Sequence, residues 1–292
     1  MHRASSLSAA LQVCGLAPIE GKLLLAHVLG RDRAWLTAHS DALLEPAQAR
    51  AFDALVRRRI DGEPIAYLVG HREFFGLDLE ITPDVLIPRP ETELLVTLAC
   101  GWLAADAEAR VLDLGSGSGA VALAIAHERP RASVIGADVS PLAVALARRN
   151  AARLSIANVA FVESDWFTAL PRQRFALIVA NPPYVARDDP HLSEGDLRFE
   201  PQDALVSGAD GLDAVRVIVA AAGELLAPGA CLALEHGYDQ APAVRALLRE
   251  AGLAGVASER DLAGIERVSY GKAGIATPSF CAHGSSAGRM LG

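Results

Sequence analysis

The chain contains no Cys-x-x-Cys pair, and its eight histidines form no ligand-spaced pair. Its four cysteines, Cys14, Cys100, Cys231 and Cys281, are widely scattered. These absences exclude a disulfide framework and a structural zinc site; we expect no metal and a reducing, cytoplasmic compartment. Positive charge is in deficit, since 27 Lys and Arg against 35 Asp and Glu leave a net charge of −8. A protein that coats nucleic acid by bulk attraction is therefore excluded, although a local basic patch is not. Long apolar runs are missing too. Stretches such as Ala120–Ala126 and Val217–Ala222 fall far short of the roughly 20 residues that span a bilayer. The start, Met1-His2-Arg3 followed by Leu7 to Leu16, faintly resembles a signal peptide. Ser5, Ser6, Ser8 and Gln12 interrupt it, so an amphipathic helix is expected. No internal repeat is evident, and we expect a monomer.

What is present is a soluble composition, 51% hydrophobic and 21% charged over 292 residues, enough for two domains or one large one. Residues 1–70 read as helices. Leu7 and Leu11 share a face, a second segment stops at Gly30, and Pro46 opens a longer helix carrying Phe52, Leu55, Val56 and Ile60 at helical spacing. Arg57-Arg58-Arg59 reads as a solvated face or, less simply, a grip on a partner. Residues 71–90 change character. Phe74 to Ile81 partly alternates, Thr82-Pro83-Asp84 is a turn, and Val85-Leu86-Ile87 follows, which predicts a hairpin linking two domains. From Arg110 strand and helix patterns alternate to residue 272, and this predicts a parallel sheet with helices on both faces. The segment 273–292 is rich in Gly, Ser and Ala and is expected to be disordered.

The chemistry concentrates at Asn181-Pro182-Pro183-Tyr184. The preceding run, Phe175 to Ala180, is a buried parallel strand by pattern, and the prolines end it. Asn181 thus stands at a strand's carboxyl end, where open α/β sheets place ligands. Its amide oxygen and the Pro182 carbonyl are adjacent acceptors suited to a substrate –NH2 group, and the Tyr184 ring can pack on a planar amide or base. The plain alternative is an Asn-Pro turn.

Gly115, Gly117 and Gly119 follow the first strand and let backbone approach a ligand closely. Asp138 ends the next strand, where a carboxylate can bind ribose hydroxyls. NAD and S-adenosyl-L-methionine (SAM) both carry that ribose, so a dehydrogenase competes at this point. Asp113, inside the loop motif, favours SAM by suiting its amino-acid end and opposing a pyrophosphate. Asp165 and Trp166 offer an acidic group and a flat face for adenine, although Trp166 could equally be core. Arg89, Glu91 and Glu93 crowd charge at the domain junction, either as a lip of the substrate cleft or as carboxylates at a helix start.

Three segments, Asp113-Leu-Gly-Ser-Gly-Ser-Gly119, Ser164-Asp-Trp-Phe167 and Asn181-Pro-Pro-Tyr184, resemble class I SAM-dependent methyltransferases that modify planar amino groups. Leu86-Ile-Pro-Arg-Pro-Glu-Thr-Glu93, Glu200-Pro201, Gly208-Ala-Asp-Gly-Leu212 and Asp261-Leu-Ala-Gly264 narrow the match to the peptide chain release factor glutamine methyltransferases, the PrmC/HemK family, over residues 20–272. That resemblance implies an α/β Rossmann-like sheet with a small helical N-terminal domain joined by a β-hairpin linker, and SAM as cofactor. It implies as substrate the glutamine of the Gly-Gly-Gln loop in release factors one and two, with no membrane and no direct nucleic-acid partner. A ribosomal-protein glutamine or a nucleic-acid base is the alternative. It implies Gly115, Gly117, Asp138 and Trp166 as cofactor contacts, to which the reading of the residues adds Asp113, Gly119, Asp165 and Asn181. It implies Asn181, Pro182 and Tyr184 as substrate contacts, which we expect to carry the reaction, and the reading of the residues adds Pro183, Arg89 and Glu91 to the substrate set.

Overall fold

The computed structural model describes residues 6–274; the tail expected to be disordered lies, beyond residue 274, outside the described residues. Five helices build the N-terminal unit: α1 (Leu7–Val13), α2 (Pro18–Leu29), α3 (Arg33–Ala38), α4 (Pro46–Ile60) and α5 (Ile65–Val69). Local chemistry sets their ends. The Ser6 hydroxyl accepts from the Ala9 amide at the start of α1, and Asp32 accepts from Trp35 at 2.7 Å at the start of α3. Pro18 and Pro46 open α2 and α4, where a missing amide costs nothing. Gly30 closes α2 in the left-handed region, at φ 61°. Leu24, Leu25, Leu36, Phe52 and Val56 fill a separate small core.

The linker hairpin is real but displaced from its predicted place. Strands β1 (His71–Phe74) and β2 (Leu77–Glu80) pair antiparallel, with Phe74 opposite Leu77. The turn is therefore Phe75-Gly76, both at positive φ (49° and 77°), and not Thr82-Pro83-Asp84. Two-residue hairpin turns favour this twist, and it is held by carboxylates. Glu73 accepts from the Gly76 amide at 2.6 Å and Glu93 from the Phe75 amide at 3.1 Å. Val85-Leu86-Ile87 is not a strand; it runs as irregular chain into the short 3-10 turn Pro90–Thr92.

The second unit comprises α6 (Glu93–Trp102), β3 (Arg110–Leu114), α7 (Ala120–Glu128), β4 (Ser133–Asp138), α8 (Pro141–Arg153), β5 (Val159–Glu163), β6 (Phe175–Ala180), α9 (Asp213–Leu225), β7 (Leu226–Glu235), α10 (Ala241–Glu250), β8 (Ala254–Arg260) and β9 (Glu266–Lys272). The sheet order is β5-β4-β3-β6-β7-β9-β8. From β5 to β7 all neighbours are parallel, but β9 is antiparallel to both β7 and β8, so the predicted all-parallel sheet is in fact mixed. The reason is the connection: only five residues, 261–265, join β8 to β9, too few for the crossover that a parallel return requires.

Side chains alternate across the sheet. Val111, Leu177, Val179, Cys231 and Ala233 face one apolar layer, shared with α6, α7 and α8. Leu112, Leu114, Ile178, Ala180, Leu232 and Leu234 face the other, shared with α9 and α10. Alternation places Asp113, Asn181 and Glu235 on the α6 side, a placement on which the site depends.

The units are stitched by polar contacts. Arg59 reaches Glu20 at 2.7 Å and Asp196 at 2.8 Å, and Arg198 donates to the Asp61 carbonyl. Thus one arginine of the 57–59 run is a domain stitch, while Arg57 is exposed and Arg58 pairs with Glu63. Fully buried Asn150, on α8, clamps the linker to the glycine loop. Its oxygen accepts from the Glu80 amide at 2.7 Å, and its nitrogen donates to the Glu80 and Ser118 carbonyls at 3.0 Å each. Asn150→Ala leaves three backbone groups, one buried and two partly buried, without their partner, and an unpaired buried group costs about 1–3 kcal/mol. We expect urea unfolding to show a loss of about 3 kcal/mol or more; a loss under about 1 kcal/mol would mean that water replaces the clamp.

Candidate active site

Strands β3, β4, β5 and β6 end on one edge of the sheet, and a cavity of about 450 Å³ opens there. Its floor is Gly115 and Gly117, at φ 70° and 53°, conformations that glycine adopts without strain. One wall is Ala137 to Ser140 at the end of β4; another is Ser164, Asp165 and Trp166 after β5. Asn181 and Pro183 close the side nearest β6. The linker contributes Asp84, Val85 and Leu86, and a short turn contributes Pro201, Asp203 and Ala204. Seven predicted residues therefore meet in one place: Gly115, Gly117, Asp138, Asp165, Trp166, Asn181 and Pro183.

Asp138 organises the floor. One carboxylate oxygen accepts from the Gly117 amide at 2.8 Å and the other from the Ser140 amide at 2.9 Å. Burial raises its pKa, and those amides together with that of Val139 pull it back. Each oxygen keeps acceptor capacity for a hydroxyl pair in the cavity. Trp166 sits at φ 46°, unusual for a bulky residue. Buried Ser164 holds it there: its hydroxyl donates to the Trp166 carbonyl at 2.9 Å and accepts from the Ala169 amide at 3.0 Å. Trp166 packs on the core and also lines the cavity.

Six predicted residues do not line the cavity. Asp113 is buried beneath it, 1% exposed, and accepts from the Ala122 amide at 3.0 Å. It fixes the start of α7 from below. Gly119 is a packing glycine; at φ 85° a Cβ would come 2.9 Å from the Phe161 ring. Pro182 is buried behind the wall. Tyr184 turns to a neighbouring compartment with Glu235, Arg267, Arg89 and Glu91, and burial there raises its pKa above the usual phenol value. Arg89 is committed to Glu200, whose side chain is fully buried and also accepts from the Ile87 amide at 3.1 Å. Glu91 is exposed beside that compartment.

Three buried side-chain atoms among the described residues have no hydrogen-bond partner: Ser116 Oγ, Asn181 Oδ1 and Glu235 Oε2. All three follow or end strands at the cavity edge. Asn181 is the informative case. Its nitrogen donates to Thr92 Oγ1 at 3.1 Å, while its oxygen is buried without a partner in a residue that lines the cavity. A buried acceptor without a donor costs free energy unless a ligand supplies one. Thr92, Asn150 and Glu235 were not singled out by sequence reading. For Glu235 a signal existed, since an apolar run ending in a carboxylate at a strand's end is the same pattern that identified Asp138.

Burial pushes the Asp113 pKa up to about 8; the Ala122 amide opposes this and Asp138 adds to it. An unfolded chain ionises this group near ~3.9. Between those pH values the folded state binds more protons, so the Asp113 contribution is lost as pH rises. Asp113→Asn removes that dependence and leaves an amide oxygen to accept from Ala122. Stability measured at pH 5 and pH 8 is expected to fall more steeply in the parent than in the variant, by up to ~1.4 kcal/mol per pH unit. Parallel curves would place an ionised carboxylate at this position.

Residues 5–70 match the PrmC N-terminal domain family, and residues 92–195 match the methyltransferase small domain family. A release factor glutamine methyltransferase of Bordetella pertussis is 55% identical over 88% of this chain and 95% of its own length. The Escherichia coli protein of the same name is 47% identical over 87% of this chain and 91% of its own length. Among solved structures, a methyltransferase from Pyrococcus furiosus superposes with a TM-score of 0.53 at 18% identity, covering 75% of this chain and 98% of its own, which speaks for the fold alone. With such identity sustained along nearly the whole length of its relatives, the chain belongs to the release factor glutamine methyltransferase family.

Proposed function

We propose that this protein transfers a methyl group from SAM to the side-chain amide nitrogen of the Gly-Gly-Gln glutamine in release factors one and two, acting as a cytoplasmic monomer. The observation that carries this reading is the free acceptor on Asn181, buried in the wall of a glycine-floored cavity.

The residues suit SAM. The bare backbone at Gly115 and Gly117 leaves room for it, Asp138 offers its remaining lone pairs to ribose hydroxyls, and Trp166 and exposed Val139 flank the space as apolar faces for adenine. Bound there, SAM supplies an electrophilic methyl on a sulfonium, so the chain need only present and orient the nucleophile. An amide nitrogen is a weak nucleophile because its lone pair is delocalised into the carbonyl. Asn181 Oδ1 takes one of the two amide hydrogens and helps to aim that lone pair. The same acceptor favours the positive charge that grows on nitrogen.

A ribosomal glutamine or a nucleic-acid base would use the same acceptor. The helical unit favours a protein partner: Val13, Ile19, Leu43 and Ile60 are large apolar side chains left exposed there, and the chain carries a net charge of −8.

Asn181→Ala should leave the melting curve and SAM affinity close to those of the parent. Single-turnover methylation of purified release factor at saturating SAM is expected to fall by about a hundredfold or more, the scale for losing one preorganised polar contact. A folded variant working at the parental rate would refute the site. If the helical unit grips the release factor, Val13→Ser and Leu43→Ser should raise KM for release factor about tenfold, the effect of ~1.4 kcal/mol, with kcat and SAM affinity unchanged. Unaltered KM in both would show that these side chains do not touch the substrate.

A further inference from the structure

Asparagine's oxygen and nitrogen are nearly the same size, so its amide can turn over, and the surrounding hydrogen bonds decide which end points where. At Asn181 that choice is functional. With the oxygen outward the residue accepts from a substrate –NH2; with the nitrogen outward it would repel that group. The partner that decides is Thr92, 3% exposed at the head of α6 and bonded to Asn181 Nδ2 at 3.1 Å. A hydroxyl, however, can donate as well as accept, so Thr92 alone fixes nothing.

Glu235 supplies the missing constraint. Ala180 lies opposite Leu234 in the β6–β7 ladder, so Asn181 and Glu235 are next in line on adjacent strands, both on the α6 face where Thr92 sits. Glu235 is 1% exposed, and its Oε2 has no hydrogen-bond partner. We propose that Thr92 and Glu235 are positioning residues: the Glu235 carboxylate takes the Thr92 proton, Thr92 then shows only lone pairs to Asn181, and the Asn181 oxygen is forced toward the cavity. A bond from a hydroxyl to a carboxylate is stronger than one between neutral groups, so the Thr92 proton goes to Glu235 in preference to Asn181. Neither Thr92 nor Glu235 lines the cavity.

The arrangement is pH-sensitive with a definite sign. Burial raises the Glu235 pKa to about 7, opposed by Thr92 and Arg267, raised further by Glu91 and lowered by Arg89. Those cations are committed elsewhere, Arg267 to Asp261 at 3.1 Å and Arg89 to Glu200. Tyr184 faces the same carboxylate, while the neighbouring His236 ring bonds to Ser269 and to the Gly237 carbonyl. Above about 7 the carboxylate is charged and the Thr92 proton is held. Below it, a protonated Glu235 can donate to Thr92, whose proton is then free to turn to Asn181 and reverse the amide.

This inference rests on Asn181 as the group that takes the substrate amide, and two measurements separate its failure from that of the functional reading. The first is independent of turnover. In the full-length protein the side-chain 15N–1H signals of Asn181, assigned by their loss in Asn181→Ala, should shift with a midpoint near 7. That titration should vanish in Glu235→Gln and in Thr92→Val, and survive in Thr92→Ser. An unchanged titration in Glu235→Gln would overturn the relay whether or not release factor is a substrate. The second is single-turnover methylation of release factor at saturating SAM and release factor. Thr92→Val and Glu235→Gln should each lose about tenfold, with SAM affinity kept and Thr92→Ser restoring most of the rate. In the Asn181→Ala background Thr92→Val should cost nothing further, because coupled residues are not additive. A full tenfold loss in that background would assign Thr92 a role apart from Asn181 and sink the proposal.

Discussion

The site hangs on one line of backbone hydrogen bonds. Leu114 pairs with Ala137 on one side and Ala180 on the other, and Ala180 pairs with Leu234. The residues that follow these positions are Gly115, Asp138, Asn181 and Glu235. Because side chains in a strand alternate, a slip of one residue at β6 would turn Asn181 to the α9 face, away from Thr92. The apolar residues on both faces prevent it, since such a slip would exchange the two buried layers. Packing energy spent throughout the core thus secures the face of the sheet on which the Asn181 side chain lies.

The same edge gathers acidic groups where the dielectric is low. Asp113, Asp138 and Glu235 all have pKa values raised by burial, and for Asp113 and Asp138 backbone amides moderate the rise. None among the described residues forms a salt bridge. An edge of this kind costs stability near neutral pH, and what it gives in return is a set of fixed acceptors. Only Asp138 of the three lines the cavity, where its oxygens stand fixed before any ligand arrives, an arrangement favourable to a reaction that builds positive charge.

Much of this was legible beforehand, for identifiable reasons. Strands β3 and β6 and the helices capped by Pro46 and Pro141 announce themselves by pattern. Asn181, Asp138 and the glycine floor were placed because strand ends and glycine spacing are local signals. The hairpin turn was misplaced because Thr82-Pro83-Asp84 looks more like a turn than Phe75-Gly76 does. Two carboxylates, Glu73 and Glu93, hold the latter, and Glu93 is eighteen residues distant from the amide that it binds. The antiparallel β9 was misjudged because alternation implies crossovers and says nothing of a final short loop. Thr92, Asn150 and Glu235 derive their importance from partners brought together only by folding: 70 residues separate Asn150 from Glu80, and 89 separate Thr92 from Asn181.

The segment between β6 and α9 belongs to neither domain alone. It covers the cavity with Pro201, Asp203 and Ala204, yet it is tied to the helical unit through Arg59–Asp196 and Arg198–Asp61 and to the linker through Arg89–Glu200. A roof fastened to both halves makes a thermodynamic link between them. Whatever free energy a ligand in the cavity gains by steadying the roof also steadies the contact with the helical unit. By reciprocity, a partner that binds the helical unit and holds that contact raises affinity in the cavity by the same factor. A ligand of the cavity and a partner of the helical unit are coupled to whatever extent each steadies this strip of chain.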